Sequence, residues 1–174
     1  TIDMISTDHA PHTPAEKAGN RIWDVACGFP GVETCMPLML TAVHEGRLTL
    51  NEYVKVSSAN PARAWGLEGQ KGTISVGADA DLVLVDLERR ETLAADKLHS
   101  RGKVSAFEGK DVVGWPVAPL VRGKVVMRDG EITAAPGWGE PVNQQMPPPE
   151  PRNLDKHIAT LVGTSPAPAE TGAA

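Results

Sequence analysis

The sequence predicts an α/β chain in which a strand, a long loop and short helices precede a small β-rich module. Three observations indicate this arrangement. Apolar residues recur at helical spacing in the first third of the chain, the period changes to that of strands after residue 71, and prolines accumulate toward the end. With 174 residues, 41% of them hydrophobic, the chain is long enough for one ordinary domain or two small ones.

The first element is a predicted buried strand over residues 2–6, a short apolar segment bounded by turn-forming residues. Residues 7–30 contain several Pro, Gly and Asn residues but few periodic apolar positions, which predicts a long loop. Loops of that length inside a domain are usually functional or disordered. The stretch STDHAPH at the start of this loop is therefore a candidate site.

Helices are predicted next. Residues 33–45 place methionine, leucine and valine side chains at helical spacing, and a glycine follows as the stop signal. Thr49 and the glutamate three residues later form a capping box, which predicts a second helix over residues 50–57. Asn60 can cap a further short helix, because the proline after it suits a first helical position.

The β-rich module begins with two strand candidates, residues 72–76 and 81–86. The LVLV run in the second candidate is continuous rather than alternating, which predicts a strand buried on both faces. Residues 119–133 predict a strand and a hairpin, with Asp129 and Gly130 as the two-residue turn.

Composition excludes several classes of partner. The net charge of −5 and the pI near 5.5 argue against binding to nucleic acid or to an anionic membrane. No segment reaches the roughly 20 apolar residues of a membrane span, and no secretory signal is visible. Cys27 and Cys35 are not spaced as a metal-binding pair, which predicts two reduced thiols in a cytoplasmic protein.

The stretch STDHAPH combines one aspartate with two histidines directly after the predicted strand. If that strand belongs to an α/β barrel, Asp8 lies at its carboxyl end, where catalytic groups of such barrels collect. An aspartate can bind Zn²⁺ at about 2.0–2.2 Å and can also accept a proton from metal-bound water. His9 and His12 are three residues apart, but the proline between them indicates irregular backbone. The spacing alone leaves a second interpretation open, in which Asp8 caps a turn and both histidines are solvated.

Four motifs in a fixed order give the sequence a family resemblance: STDHAPH, GFPGVETCMPLML, NPARAWGL and KGTISVGADADLVLVD. Together with the later segments FEG and VRGK, they extend over residues 2–132. The sequence resembles the cyclic amidohydrolases, and most closely the dihydroorotases of the long bacterial type. The hydantoinases, dihydropyrimidinases and allantoinases are the next most similar branches.

The resemblance implies hydrolysis of a C–N bond in a small cyclic amide at a binuclear zinc site, as in the pyrimidine pathway. Zinc lowers the pKa of bound water toward about 7. Asp8 corresponds to a metal ligand that also carries the proton from water to the leaving nitrogen. His12 corresponds to a histidine that holds the substrate's carboxylate, and Pro30 and Gly31 lie where backbone groups hold the ring. Hydantoinase, dihydropyrimidinase or allantoinase activity is the alternative within the family.

Four further polar residues are interpreted as structural. Glu33 and Thr34 follow the GFPG motif and are expected to fix that loop against the next helix. Asp79 and Asp81 are expected to be turn and strand-edge residues rather than metal ligands.

The resemblance also implies a division of the fold. Residues 1–68 would form the last strand, the active-site loop and helices of a TIM-type (β/α)8 barrel, and residues 69–133 part of a small β-sandwich. Residues 134–174 are rich in Pro and Ala, which predicts a mostly disordered, flexible tail with a brief helix at residues 154–162.

The other metal ligands of the family have no counterpart in this sequence: an HxH pair, a carboxylated lysine and two further histidines. Because a catalytic zinc takes at least three protein ligands, we expect this C-terminal portion to be incomplete and inactive alone. Its expected partners are a small cyclic amide, and either the missing barrel portion or a second copy of the chain. A non-catalytic remnant that acts as a scaffold is the hypothesis of a different class.

Overall fold

Among the described residues, the α-helices precede the strands along the chain. A computed structural model describes residues 2–142, so the predicted helix at residues 154–162 lies outside the described residues. The α-helices are α1 (Val32–His44), α2 (Leu50–Val54) and α3 (Asn60–Ala64), and a π-helical turn, Lys55–Ala59, joins α2 to α3. The strands are β1 (Leu82–Thr92), β2 (Asp111–Val121), β3 (Lys124–Val125), β4 (Met127–Arg128) and β5 (Glu131–Ile132).

Strands β1, β2 and β3 form an antiparallel sheet in that order, while β4 and β5 form a separate hairpin. The long β1–β2 pairing runs from Leu82 opposite Leu120 to Thr92 opposite Asp111, with two irregularities in its register. Among residues 2–142, no helix has the length and apolar character needed to cross a membrane.

The core lies where α1 packs against β2. Leu40 of α1 is 2% exposed and Val112 of β2 is 1% exposed. Gly114 of β2 has a φ of +94°, and a Cβ at this position would lie 2.6 Å from the Cβ of Leu40. Glycine is therefore required for the strand and the helix to approach this closely.

The predicted strand over residues 2–6 is wrong, because this segment has no regular secondary structure. A strand depends on ladder hydrogen bonds to a neighbour, and no strand lies beside this segment in the part of the chain that the structure describes. Its Ile5 N–H donates instead to the carbonyl of Val56 at 3.1 Å. The side chain of Asn60 donates to the carbonyl of Asp3 at 2.7 Å, so the segment is attached to the helices.

The predicted helix over residues 33–45 is confirmed as α1. The capping box is confirmed too, since Thr49 N donates to the Glu52 carboxylate at 2.7 Å and Glu52 N to the Thr49 hydroxyl at 3.2 Å. The prediction that Asn60 caps a separate helix is wrong. The π-helical turn continues α2 directly into α3, and the Asn60 N–H donates to the carbonyl of Lys55 within it.

The predicted strand over residues 72–76 is also wrong, because this segment forms bends and turns. Glycines at residues 72 and 77 both have positive φ, which interrupts extended backbone. The Lys71 ammonium holds the loop by pairing with the carboxylates of Asp79, at 2.7 Å, and Asp81. This ion pairing agrees with the interpretation of both aspartates as structural.

The strand predicted over residues 81–86 is confirmed as β1, although it is longer than predicted. Its predicted burial on both faces is wrong: Val83 is 38% exposed and Leu84 57% exposed. Burial depends on the layers that cover a sheet, and β1 is an edge strand of this one. The hairpin turn is confirmed at Asp129 and Gly130, whose φ values of +49° and +87° suit a two-residue turn.

Candidate active site

Asp8 lies in the long loop predicted over residues 7–30, which the structure confirms except for a short 3-10 helix at Ile22–Asp24. Its φ is +45°, a left-handed conformation that is uncommon for residues other than glycine. Such backbone conformations cluster at functional sites, where the surrounding structure holds them in place. The Asp8 side chain is exposed, and within residues 2–142 its carboxylate makes no hydrogen bond or ion pair. It is therefore accessible to a group that approaches this surface.

His9 joins this loop to the start of α1. Its Nδ1 atom accepts hydrogen bonds from Gly31 N at 3.1 Å and from Val32 N at 3.2 Å. Because both donors are backbone N–H groups, Nδ1 carries no proton in this arrangement. The imidazole thus caps the N-terminus of α1, a function that Gly31 cannot perform because it has no side chain. The sequence did not predict that His9 caps α1. The only indication that His9 has a role was its position next to Asp8 in the motif.

Two further contacts hold the DHAPH segment against the GFPG segment. The Ala10 N–H donates to the Phe29 carbonyl at 3.1 Å. A Cβ at Gly31 would lie 3.0 Å from the Thr7 carbonyl oxygen, so the two backbones pass very close to each other. We call these contacts, together with the His9 cap, the loop clasp. The loop clasp brings together two motifs that are separated in sequence.

His12 is less constrained than His9. Its side chain is 39% exposed, and its Nδ1 lies 3.9 Å from the Glu16 carboxylate, which is too long for a hydrogen bond. Glu16 instead closes a turn with Thr13, whose backbone N–H and hydroxyl donate to its carboxylate at 2.6 and 2.8 Å. These hydrogen bonds lower the pKa of Glu16. The His12 ring therefore remains available for another contact.

Pro30 and Gly31 are both buried. The Gly31 N–H is bound by His9, and its carbonyl accepts a hydrogen bond from the Cys35 N–H at 3.0 Å. The carbonyl of Pro30 accepts no hydrogen bond from the residues that the structure describes. The ring of Phe29 packs edge-to-face on Phe107, with ring centroids 6.1 Å apart, which anchors the GFPG segment from its other side.

Thr34 binds the GFPG segment as the sequence predicts, whereas Glu33 binds the segment at His99 and Ser100 rather than the GFPG loop. Burial opposes ionisation of Glu33, but hydrogen bonds from the His99 N–H, the His99 ring and the Ser100 N–H outweigh it and lower the pKa of its carboxyl. The two backbone donors lie 2.9 and 3.1 Å from the Glu33 carboxylate. Thr34 is 1% exposed, and its hydroxyl donates to the Gly31 carbonyl at 3.3 Å. Sequence reasoning did not identify His99 as the partner of Glu33.

The metal-ligating residues do not gather into a complete site. Among residues 2–142, no group of three or more His, Cys, Asp or Glu side chains is arranged to hold a metal ion. Since a catalytic zinc takes at least three protein ligands, Asp8 cannot hold one alone. The donor set of residues 2–142 therefore does not fit a complete zinc site.

The two cysteines are free thiols, as the sequence predicts. Cys27 is exposed and Cys35 is partly buried. Burial raises the pKa of the Cys35 thiol, which disfavours the thiolate that a metal would require.

An apolar groove of about 760 Å³ lies between α1, the sheet and the β4–β5 hairpin. Its lining includes Val32, Glu33 and His99, but none of the site residues that the sequence predicts. The groove therefore adjoins the loop clasp at Val32, whose N–H is bound by His9, but it includes neither Asp8 nor His12.

Comparison with known proteins gives matches over most of the chain. Residues 1–126 match the amidohydrolase family. A dihydroorotase of Halobacterium salinarum is 49% identical over 134 residues, which are 77% of this chain and 31% of that protein. An L-hydantoinase of Paenarthrobacter aurescens is 39% identical over 147 residues, which are 83% of this chain and 32% of that protein. The solved structure of a D-hydantoinase from Thermus sp. has a TM-score of 0.74 at 36% identity, covering 79% of this chain and 31% of that one.

The chain thus spans less than one third of the length of these relatives. The fold similarity confirms the predicted mixture of helices and sheet. The DHAPH and GFPG segments, which carry the resemblance and meet in the loop clasp, both lie inside the matched region. Because the family match covers well over half of the sequence, this chain belongs to the amidohydrolase family.

Proposed function

We propose that this chain forms one part of the active site of a metal-dependent enzyme that hydrolyses the C–N bond of a small cyclic amide. The observation that carries this proposal is the loop clasp, which holds the exposed Asp8 beside the GFPG segment. Membership of the amidohydrolase family supports it. The left-handed backbone of Asp8 is consistent with a functional position.

In this proposal Asp8 would supply one ligand to a binuclear zinc site whose other ligands are absent from this sequence, and the metal would supply activated water. The same carboxylate accepts a proton from the attacking water and delivers it to the leaving amide nitrogen. The Pro30 carbonyl contacts the substrate ring, because both polar backbone groups of Gly31 are engaged elsewhere. Gly31 lets the two segments approach, and the uncommitted ring of His12 contacts a carboxylate on the substrate.

Dihydroorotate is the substrate that we favour. The dihydroorotase of Halobacterium salinarum shares 49% identity with this chain, against 39% for the L-hydantoinase of Paenarthrobacter aurescens. With this substrate, the enzyme would act in the pyrimidine pathway, and we propose that it does so in the cytoplasm. Hydantoinase, dihydropyrimidinase or allantoinase activity is the alternative, and the similarity to solved hydantoinase structures favours the first of these.

The proposal includes an arrangement of the polypeptide. Residues 1–68 supply the last strand position, the active-site loop and helices of a (β/α)8 barrel, and residues 69–133 supply part of a β-sandwich. The segment at residues 2–6 becomes a strand only when neighbouring barrel strands provide its ladder partners. Those strands, from the remaining portion of the barrel, are the partner that we expect.

The first experiment uses the 174-residue polypeptide as it is. We expect purified protein to retain no stoichiometric zinc and to show no hydrolysis of dihydroorotate, because Asp8 alone cannot hold the metal. Metal analysis and an ultraviolet assay of dihydroorotate measure these two quantities. Robust activity of the polypeptide would contradict the proposed division of the site.

The decisive experiment is a chimera in which the matching 77% of this chain replaces the aligned 134 residues of the Halobacterium salinarum dihydroorotase. We expect the chimera to hydrolyse dihydroorotate, and Asp8→Asn to reduce its kcat by about 10²–10⁴-fold because the proton acceptor is lost. Glu45→Gln is the matched control: it also removes one carboxylate charge, at an exposed position beyond the end of α1. A folded but inactive chimera would instead favour the non-catalytic scaffold, and full activity of Asp8→Asn would refute the role of Asp8.

A further inference from the structure

His99 lies between the first turn of α1 and the turn of the β4–β5 hairpin. Its Nδ1 lies 2.8 Å from the Glu33 carboxylate, and its Nε2 lies 3.0 Å from the Gly130 carbonyl oxygen. Neither a carboxylate nor a carbonyl oxygen can donate a hydrogen bond. Both ring nitrogens must therefore carry a proton for both contacts to be hydrogen bonds, so His99 is an imidazolium in this arrangement.

We propose that doubly protonated His99 is a positioning residue that locks the first turn of α1, and with it Pro30 and Gly31, to the β4–β5 hairpin. The lock is closed when both ring nitrogens donate and opens when the ring loses one proton. Its relevance to substrate binding rests on the proposed function, whereas its existence is a property of this chain alone.

Both ends of the lock are held by other contacts. On one side, Glu33 lies one residue after Val32, whose N–H is bound by His9 in the loop clasp. On the other side, Asp129 of the hairpin turn pairs with the Arg89 guanidinium at 3.2 Å. Polar contacts, joined by the peptide bonds Val32–Glu33 and Asp129–Gly130, therefore connect the Asp8 loop through α1 and His99 to the sheet.

The direction of the pH dependence follows from the groups around His99. The hydrogen bond with Glu33 is the largest influence and raises the pKa of His99 above its ordinary value of about 6.5. Partial burial and the nearby Lys103 ammonium act in the opposite direction. The other charged groups that line the same groove are Arg89, Glu91, Lys97, Asp129 and Glu131. The lock is therefore closed while the pH lies below the raised pKa of His99, and it opens as the pH rises through that pKa.

Loss of the proton removes one of the two contacts. A neutral ring has a single N–H, so either Glu33 or the Gly130 carbonyl then faces a nitrogen lone pair. Glu33 also keeps its hydrogen bonds from the backbone N–H groups of His99 and Ser100. We therefore expect the contact with Gly130 to break first, which separates the hairpin from α1.

Nuclear magnetic resonance of the isotopically labelled 174-residue chain tests this directly. The protein is titrated from about pH 5 to about pH 9. The ring ¹⁵N chemical shifts report the protonation of each nitrogen of His99, and the amide chemical shifts report changes in the environment of the residues that contact it. We expect both ring nitrogens to be protonated below the midpoint, and the midpoint to lie above 6.5. The amides of Glu33 and Gly130 should shift with the same midpoint, and hydrogen-exchange protection of Val32 should fall above it.

Two variants separate the lock from simple packing. Glu33→Gln removes the charge but keeps the shape, so the midpoint of His99 should fall toward its ordinary value. His44→Gln, at the opposite end of α1, should leave the midpoint unchanged. A midpoint at or below 6.5, or amides of Glu33 and Gly130 that do not follow the ring, would overturn the proposal. Because these measurements need no catalysis, their failure is distinguishable from failure of the proposed function.

Discussion

Thr41 allows a quantitative test of how α1 is held on β2. Its hydroxyl donates to the Pro37 carbonyl at 2.8 Å and accepts a hydrogen bond from the Val113 N–H at 2.9 Å. The residue is 6% exposed, and Val113 is 8% exposed. Replacement of Thr41 by valine preserves the side-chain shape but takes this acceptor away from a buried N–H group.

The expected cost can be estimated from that geometry. An unsatisfied buried donor destabilises a protein by about 1–3 kcal/mol, and urea m-values are about 1–3 kcal/mol per molar for small domains. We therefore expect Thr41→Val to lower the urea midpoint by about 1 M. Urea unfolding monitored by tryptophan fluorescence measures the shift, and Trp115 on β2 lies close enough in sequence to Val113 to report on this region.

Thr34→Val is the matched control. Thr34 is 1% exposed, but its hydroxyl bonds only weakly to the Gly31 carbonyl, at 3.3 Å, and that carbonyl also accepts the Cys35 N–H. Its loss leaves no buried group unsatisfied, so a cost of about 0.5–1.5 kcal/mol is expected. Both substitutions replace a buried threonine by valine, and they differ in whether a buried N–H group loses its acceptor. Equal destabilisation by Thr34→Val and Thr41→Val would therefore refute the reasoning.

Two further predictions concern backbone and charge. Gly114→Ala should destabilise the chain by about 2–5 kcal/mol, because strain at positive φ adds to overpacking against the core. Gly46→Ala, at a φ of +71° with open space around it, should cost only about 1–2 kcal/mol, and equal urea midpoints for the two variants would contradict this. His99→Gln should lower the free energy of unfolding by up to about 1 kcal/mol, since the pair with Glu33 is partly exposed. Because the pKa of His99 is raised, its protonated form stabilises the fold fully below about pH 6.5, and this stabilisation is lost as the pH rises through the raised pKa. Because the pKa of Glu33 is lowered, its ionised form stabilises the fold above about pH 4.3. The difference in urea midpoint between the unsubstituted protein and His99→Gln should therefore be largest between these limits and should shrink as the pH rises through the raised pKa of His99, and a difference that does not change with pH would argue against the lock.

Part of the candidate site could be predicted from the sequence, and part could not. Its motifs identified the DHAPH and GFPG segments, but spacing alone left the histidines as possible solvated loop residues. The structure assigns His9 to the cap of α1, because a helix N-terminus at Gly31 needs an acceptor and the fold brings the imidazole there. It also pairs Glu33 with His99 across the fold, a partnership that no local pattern encodes. The roles of Asp8, His12, Pro30 and Gly31 stay predictions.

The sequence by itself determined the elements whose cause is local. Helix α1 follows from apolar spacing, the start of α2 from the capping box at Thr49, and the hairpin turn from Asp129 and Gly130, because each depends on residues a few positions apart. Only the tertiary structure decided whether apolar runs become strands and whether strands become buried. Residues 2–6 lack a ladder partner among the described residues, and Val83 and Leu84 lack a covering layer there. Pairing and burial are supplied by distant segments, and an apolar run does not specify which segments those are.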